Sequence, residues 1–147
     1  MSKKNRPSLV RSPDSKKIPH TSKEIDNLEN RLFRWRINSN FIDLDHEEWG
    51  WVTKLDIDGF FNLLEKHLHR YESTDWKELK KQNNCHPLPV EKIVPRAQER
   101  LCDKCPGVDS LYQVSAGEVP RVWGVRREDI LYLIWYDPDH TVYPIKR

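Results

Sequence analysis

Ile130-Leu131-Tyr132-Leu133-Ile134-Trp135-Tyr136 is an unbroken apolar and aromatic run, opened by Asp129 and closed by the turn composition Asp137-Pro138-Asp139-His140. Leu131, Leu133 and Trp135 alternate with Ile130, Tyr132, Ile134 and Tyr136, so a strand built from this run is apolar on both faces. Such a strand belongs in the middle of a sheet with cover on either side. Two segments before it, Ser110 to Ala116 and Val119 to Arg126, also read as strands. The links Gly117-Glu118 and Arg127-Glu128 are short enough to make consecutive antiparallel hairpins ending in Asp129 to Asp137. A three-stranded antiparallel meander at the C-terminal end is therefore expected.

Upstream the period changes. Phe60, Phe61, Leu64, Leu68 and Tyr71 recur at helical spacing behind Asp56 or Asp58 as N-cap. Asp75-Trp76-Lys77-Glu78 has the form of a capping box opening a short helix to about Lys81, which Gln82-Asn83-Asn84 stops. Pro87 and Pro89 keep Cys85 to Pro89 out of any helix, whereas Pro95 suits the first turn of a third helix that reaches about Leu101 before Pro106-Gly107. Before all of these, Phe33, Trp35 and Ile37 alternate with Arg34 and Arg36 as a half-buried strand does. Asp43 to Trp51 reads as an irregular return ribbon or a loop. The expected fold class is α+β: an N-terminal strand, two to three helices, and the meander with helices packed on one face.

The 147 residues suit one domain. Residues 1–24 carry a charge of +5 and are rich in Ser, Pro and Lys, which marks a disordered basic tail; residues 25–147 form the single α+β domain and carry −3. A body of that charge lacks the general basic face of a nucleic-acid trap. With 6 Trp the chain has enough aromatic surface to pack, and no apolar stretch approaches a membrane span or a secretory signal core. The expectation is a cytoplasmic protein with no membrane association.

Cys102-x-x-Cys105 has zinc-ligand spacing, with Cys85-His86 as the only other corner, but a second two-ligand knuckle is missing and no metal or cofactor is expected. Asp43, Asp45, Glu47, Glu48, Asp137 and Asp139 fit solvated loops better than a paired-acid cleft. There is no GxSxG, no HExxH and no glycine-rich phosphate loop. One position stands out. Alternation sets Arg121 beside Trp123 and Val125, so its guanidinium either finds a partner such as Glu118 or an Asp, or lines a concavity open to a phosphate. His140 and Tyr143 follow just beyond the apolar strand, and arginine with histidine and tyrosine is a workable set for cleaving an RNA phosphodiester.

The order β-α-α-β-β-β, the run Arg121-Val122-Trp123-Gly124-Val125-Arg126 and the closing Asp137-Pro138-Asp139-His140-Thr141-Val142-Tyr143 resemble the RelE/ParE/HigB group of small bacterial toxins. The resemblance implies a protein acting on RNA, an endoribonuclease dependent on the ribosome, held by an antitoxin or another protein partner. It makes Arg121 a phosphate contact and His140 or Tyr143 the acid/base candidate, so that Arg121, His140 and Tyr143 are the expected catalytic residues; Arg126, Arg127 and Lys146 are the expected RNA contacts. The acidic body and the long insert between residues 56 and 105 depart from that group's pattern. The competing expectation is a non-enzymatic protein–protein interaction module of an uncharacterised bacterial family, with Trp49, Trp51 and Trp76 as binding surface or as core.

Overall fold

A computed structural model describes residues 27–82 and 85–144. The basic tail at 1–24, the Asn83-Asn84 stop and Lys146 lie outside the described residues. The chain is α+β. Strand β1 (Arg34–Arg36) leads to a short helix α1 (Trp51–Lys54) and then to α2. Helix α2 runs through Ile57–Leu63, a π turn at Leu64–Leu68 and a last α turn at His69–Tyr71. After α3 (Trp76–Lys80) come β2 (His86–Pro89), a 3₁₀ turn (Val90–Lys92), α4 (Pro95–Lys104), β3 (Ser110–Ser115), β4 (Arg121–Arg127) and β5 (Ile130–Asp137).

The local signals act as their chemistry dictates. Asp56, not Asp58, caps α2 by accepting the Gly59 amide at 2.7 Å, and Asp75 caps α3 by accepting the Glu78 amide at 2.7 Å. The reciprocal half of the expected capping box is not formed; the Glu78 carboxylate pairs with Lys81 instead, at 3.2 Å. Pro95 sits in the first turn of α4, which runs three residues past the expected end to Lys104.

β3, β4 and β5 are the expected antiparallel meander, but the sheet is wider than three strands, with order β1-β5-β4-β3-β2. β1 joins β5 in parallel, Arg34 against Ile130 and Arg36 against Tyr132. β2 adds to the far edge, antiparallel to β3. Its two prolines are compatible with an edge strand because they lack the N–H that a central strand would need. A chain segment excluded from helices by proline thus became a strand by borrowing its hydrogen bonds from one side only.

The expectation of helices on one face is corrected. Leu63, Leu68 and Tyr71 of α2 and Trp76 and Leu79 of α3 pack on Tyr112, Val114, Val122, Leu131 and Leu133. Ala97 and Leu101 of α4 pack on the opposite face, with Leu111, Trp123, Val125, Ile134 and Trp135. A strand apolar on both faces demands this second layer, since leaving either face wet would forfeit roughly 2 kcal/mol per large side chain. Trp49, Trp51 and Trp76 are all buried, so they belong to the core. Among the described residues no helix is long and apolar enough to cross a membrane.

A bulge lets β5 serve both layers. The register between β4 and β5 shifts at Trp123/Gly124, so that Trp123 faces Trp135 while Gly124 faces Leu133, and Ile134 is the extra residue. Ile134 and Trp135 consequently both enter the α4-side core. Gly124 is what makes the shift fit, because a Cβ there would lie 2.5 Å from the Tyr132 carbonyl oxygen and 2.8 Å from Leu131.

Asp43, expected as a solvated loop acid, is fully buried. It accepts two bonds of 2.7 Å from Arg100 of α4 and one of 2.9 Å from the Trp135 indole, tying the 38–50 segment to helix and sheet at once. Burial alone would raise its pKa, yet these bonds and the Arg100 charge bring it below the ordinary carboxylate value.

Gly124→Ala should lower stability by about 1–3 kcal/mol in urea unfolding, from overpacking at the bulge. Asp43→Asn should cost about 3 kcal/mol at pH 7. Because the folded-state pKa of Asp43 is lowered, its contribution is complete above the unfolded carboxylate range and disappears as pH falls through the folded value. The asparagine variant should therefore lose less stability than the parent between pH 6 and roughly pH 3 when thermal unfolding is followed by circular dichroism.

Candidate functional site

Arg121 opens β4 directly opposite Asp137, the last residue of β5, so the strand register gathers Arg121 and the turn bearing His140 at one end of the sheet. The arginine is enclosed there, with 2% of its surface exposed. Its Nη1 points into the β3–β4 hairpin loop and lies 2.8–3.3 Å from the carbonyl oxygens of Gly117, Glu118, Val119 and Pro120. Of the partners weighed from the sequence, Glu118 contributes its backbone carbonyl. Nε is buried without a hydrogen-bond partner. Burial lowers the guanidinium pKa, offset by the neighbouring Cys85, Tyr71 and Asp137. This cation closes a hairpin from within.

The turn after β5 is organised by Asp137. Its buried carboxylate accepts the Thr141 and Val142 amides at 2.9 Å each and lies 3.3 Å from the Trp123 indole nitrogen. Thr141 Oγ1 in turn accepts the Trp49 indole N–H at 2.9 Å. His140 occupies the left-handed region at φ 59, which the tight return to Asp137 requires, and its Nδ1 is buried without a partner. Tyr143 packs half-buried against the α4-side core. The three residues expected to form a catalytic set thus share one end of the sheet as parts of a hairpin lock, a turn and a core margin.

The two expected RNA-contact arginines lie on opposite faces. Arg126 turns to the α2/α3 side, where its guanidinium stacks 3.9 Å from the Trp76 ring centroid, pairs with Glu29 at 2.6 Å and donates from Nε to the Glu128 carbonyl. It is fully engaged. Arg127 turns to the α4 side, 6.0 Å from the Phe41 ring, and forms no ion pair among the described residues.

Around Arg127 lies a surface that the sequence reading did not single out. Across β4, β5 and β1 the register aligns Arg127, Ile130 and Arg34 in one row and Val125, Tyr132 and Arg36 in the next. Cross-strand partners share a face, so Arg34, Arg36 and Arg127 surround Ile130 and Tyr132, and Phe41 packs against Tyr132 in a tilted arrangement with ring centroids 5.2 Å apart. The arginines on the two outer strands stand roughly 10 Å apart, two strand spacings. Arg36 is exposed and forms no ion pair among the described residues. Arg34 is 52% exposed and reaches Asp129 at 3.4 Å, with Arg31 at 3.9 Å from the same carboxylate. The alternation of Arg34 and Arg36 was visible in the sequence. Their union with Arg127 was not, because it depends on β1 lying parallel beside β5.

The thiols do not converge. Cys85 is buried beside the Tyr71 hydroxyl, Cys105 is buried against the carbonyls of Asn40 and Phe41, and Cys102 is exposed on α4. Burial pushes the Cys85 and Cys105 thiols up from their ordinary pKa. Among the described residues no three His, Cys, Asp or Glu side chains gather as metal ligands would.

Arg121→Leu should destabilise the fold by about 2–3 kcal/mol in urea unfolding, because it strips the hairpin carbonyls of their donor. His140→Gly should be close to neutral or stabilising by a few tenths of a kcal/mol, since glycine accepts positive φ freely. No protein-family profile, curated protein or solved structure matches this chain.

Proposed function

We propose that this protein acts on RNA as a strand-binding protein, through the arginine-flanked ribbon of Arg34, Arg36 and Arg127 around Tyr132 and Phe41. The observation supporting the reading is the juxtaposition of three cations from two strands, β1 and β4, with aromatic rings on one sheet surface. Arginine forks suit phosphate oxygens, and aromatic rings accept base stacking without sequence preference. The reading is one of binding. Cleavage by Arg121, His140 and Tyr143, as the toxin resemblance implies, is not carried into it, because the guanidinium that would meet the phosphate is held inside its own hairpin.

In fluorescence anisotropy with a labelled single-stranded RNA oligonucleotide, Arg36→Glu and Arg127→Glu should each weaken binding by about tenfold. Each should also reduce the slope of log affinity against log salt by roughly one. His140→Ala should leave both quantities unchanged. Equal affinity in the parent and both glutamate variants would overturn the reading.

A second reading, a non-enzymatic protein–protein module, is favoured by a different surface. Val52 of α1 and Ile57 and Phe61 of α2 are 69%, 74% and 60% exposed, and Ile57 and Phe61 lie one helical turn apart. Exposed apolar groups so close together are characteristic of contact surfaces.

A further inference from the structure

The two edges of the sheet differ. β2 ends one side with Pro87 and Pro89, which remove two N–H donors from a four-residue strand and close that edge to further pairing. β1 ends the other side. The Arg34 amide donates to Asp129 beside β5, while the Phe33 amide donates away from β5, to Thr74. Backbone parity then directs the Trp35 N–H and C=O outward, and among the described residues nothing pairs with them. The first part of this edge already accepts a strand, since Leu32 forms an antiparallel bridge with Asp75 and the Trp76 amide donates to Arg31. Pairing stops there and leaves Trp35 to Ile37 open.

We propose that the outer edge of β1 is a docking site for an extended acidic segment of a partner protein, added to the sheet as a sixth strand. This goes beyond RNA binding and uses backbone groups that the ribbon does not. Strand addition needs a rigid edge, and β1 is fixed by the Trp35 indole, which donates to Glu72 at 2.7 Å on the face opposite the arginines. A residue of the incoming strand opposite Trp35 would share its face, and the residues on either side would lie against Arg34 and Arg36. The arrangement therefore selects an acidic–apolar–acidic pattern, with Ile37, 53% exposed, as a further apolar contact. A second copy of the chain is a poor occupant. Two β1 strands paired antiparallel about Trp35 would set Arg34 of each against Arg36 of the other, and like charges directly opposite are destabilising.

The test uses the full chain and a synthetic ten-residue peptide alternating Glu and Val, with titration calorimetry for affinity and amide hydrogen exchange by NMR for the edge. The expected result is saturable binding that slows exchange at the Trp35 amide by about tenfold or more. N-methylation of the peptide's pairing amides should reduce affinity by about tenfold. Arg34→Glu/Arg36→Glu should reverse the preference towards a Lys-Val peptide. Failure of the peptide to bind, binding that ignores N-methylation, or binding that leaves the Trp35 amide unprotected would each overturn the proposal. Arg127→Glu separates it from the RNA reading: it should weaken RNA binding by about tenfold and leave peptide affinity unchanged.

Discussion

A carboxylate with no exposed surface holds this fold together. Asp43 receives both arms of the Arg100 guanidinium from α4 and the indole N–H of Trp135 from β5, so one side chain joins a loop, a helix and the sheet. A charge in that position is tolerable only because every approach to it is a donor. Asp137 repeats the device at the end of β5, spending its oxygens on the Thr141 and Val142 amides beside the Trp123 indole. Both acids serve the same purpose. Each pins an irregular segment against a strand that is apolar on both faces and must stay covered.

This covering decides where ligand chemistry is available. At the end of the sheet that carries Arg121 and His140, the hairpin carbonyls engage Arg121 Nη1 and Asp137 holds the turn amides, while Arg121 Nε and His140 Nδ1 are buried without a partner. Arg126 is likewise committed, between Trp76 and Glu29. Of the arginines on the sheet, Arg34 and Arg36 are exposed on β1 and Arg127 is half-buried beside them on β4. That surface and the open β1 edge arise from the same fact: β1 is short, parallel to β5, and last in the strand order.

Much of the fold was legible because its signals were local. The meander followed from alternation and hairpin-length links, and the helix starts from Asp56, Asp75 and Pro95. Less visible was anything that required two distant segments to meet. The proline-bearing β2 looked like a mere breaker until β3 was beside it. The acids Asp43 and Asp137 looked like solvated loop residues, since no spacing reveals that Arg100 or Trp135 will arrive. Arg121 among apolar neighbours was rightly recognised as needing a partner, but the sequence left open whether that partner was a ligand or its own hairpin. Four backbone carbonyls within reach supply the answer in geometric terms. The arginine ribbon was hidden for the same reason as β2, because Arg34 and Arg36 are more than 90 positions from Arg127.

The most direct measurement is a titration of single-stranded RNA into protein whose arginine side chains are labelled with ¹⁵N, following the Nε–Hε resonances. The account predicts that Arg36 and Arg127 shift with RNA concentration while Arg121 stays fixed at its hairpin position. Movement of the Arg121 resonance, with Arg36 and Arg127 silent, would contradict it and return the site to the far end of the sheet.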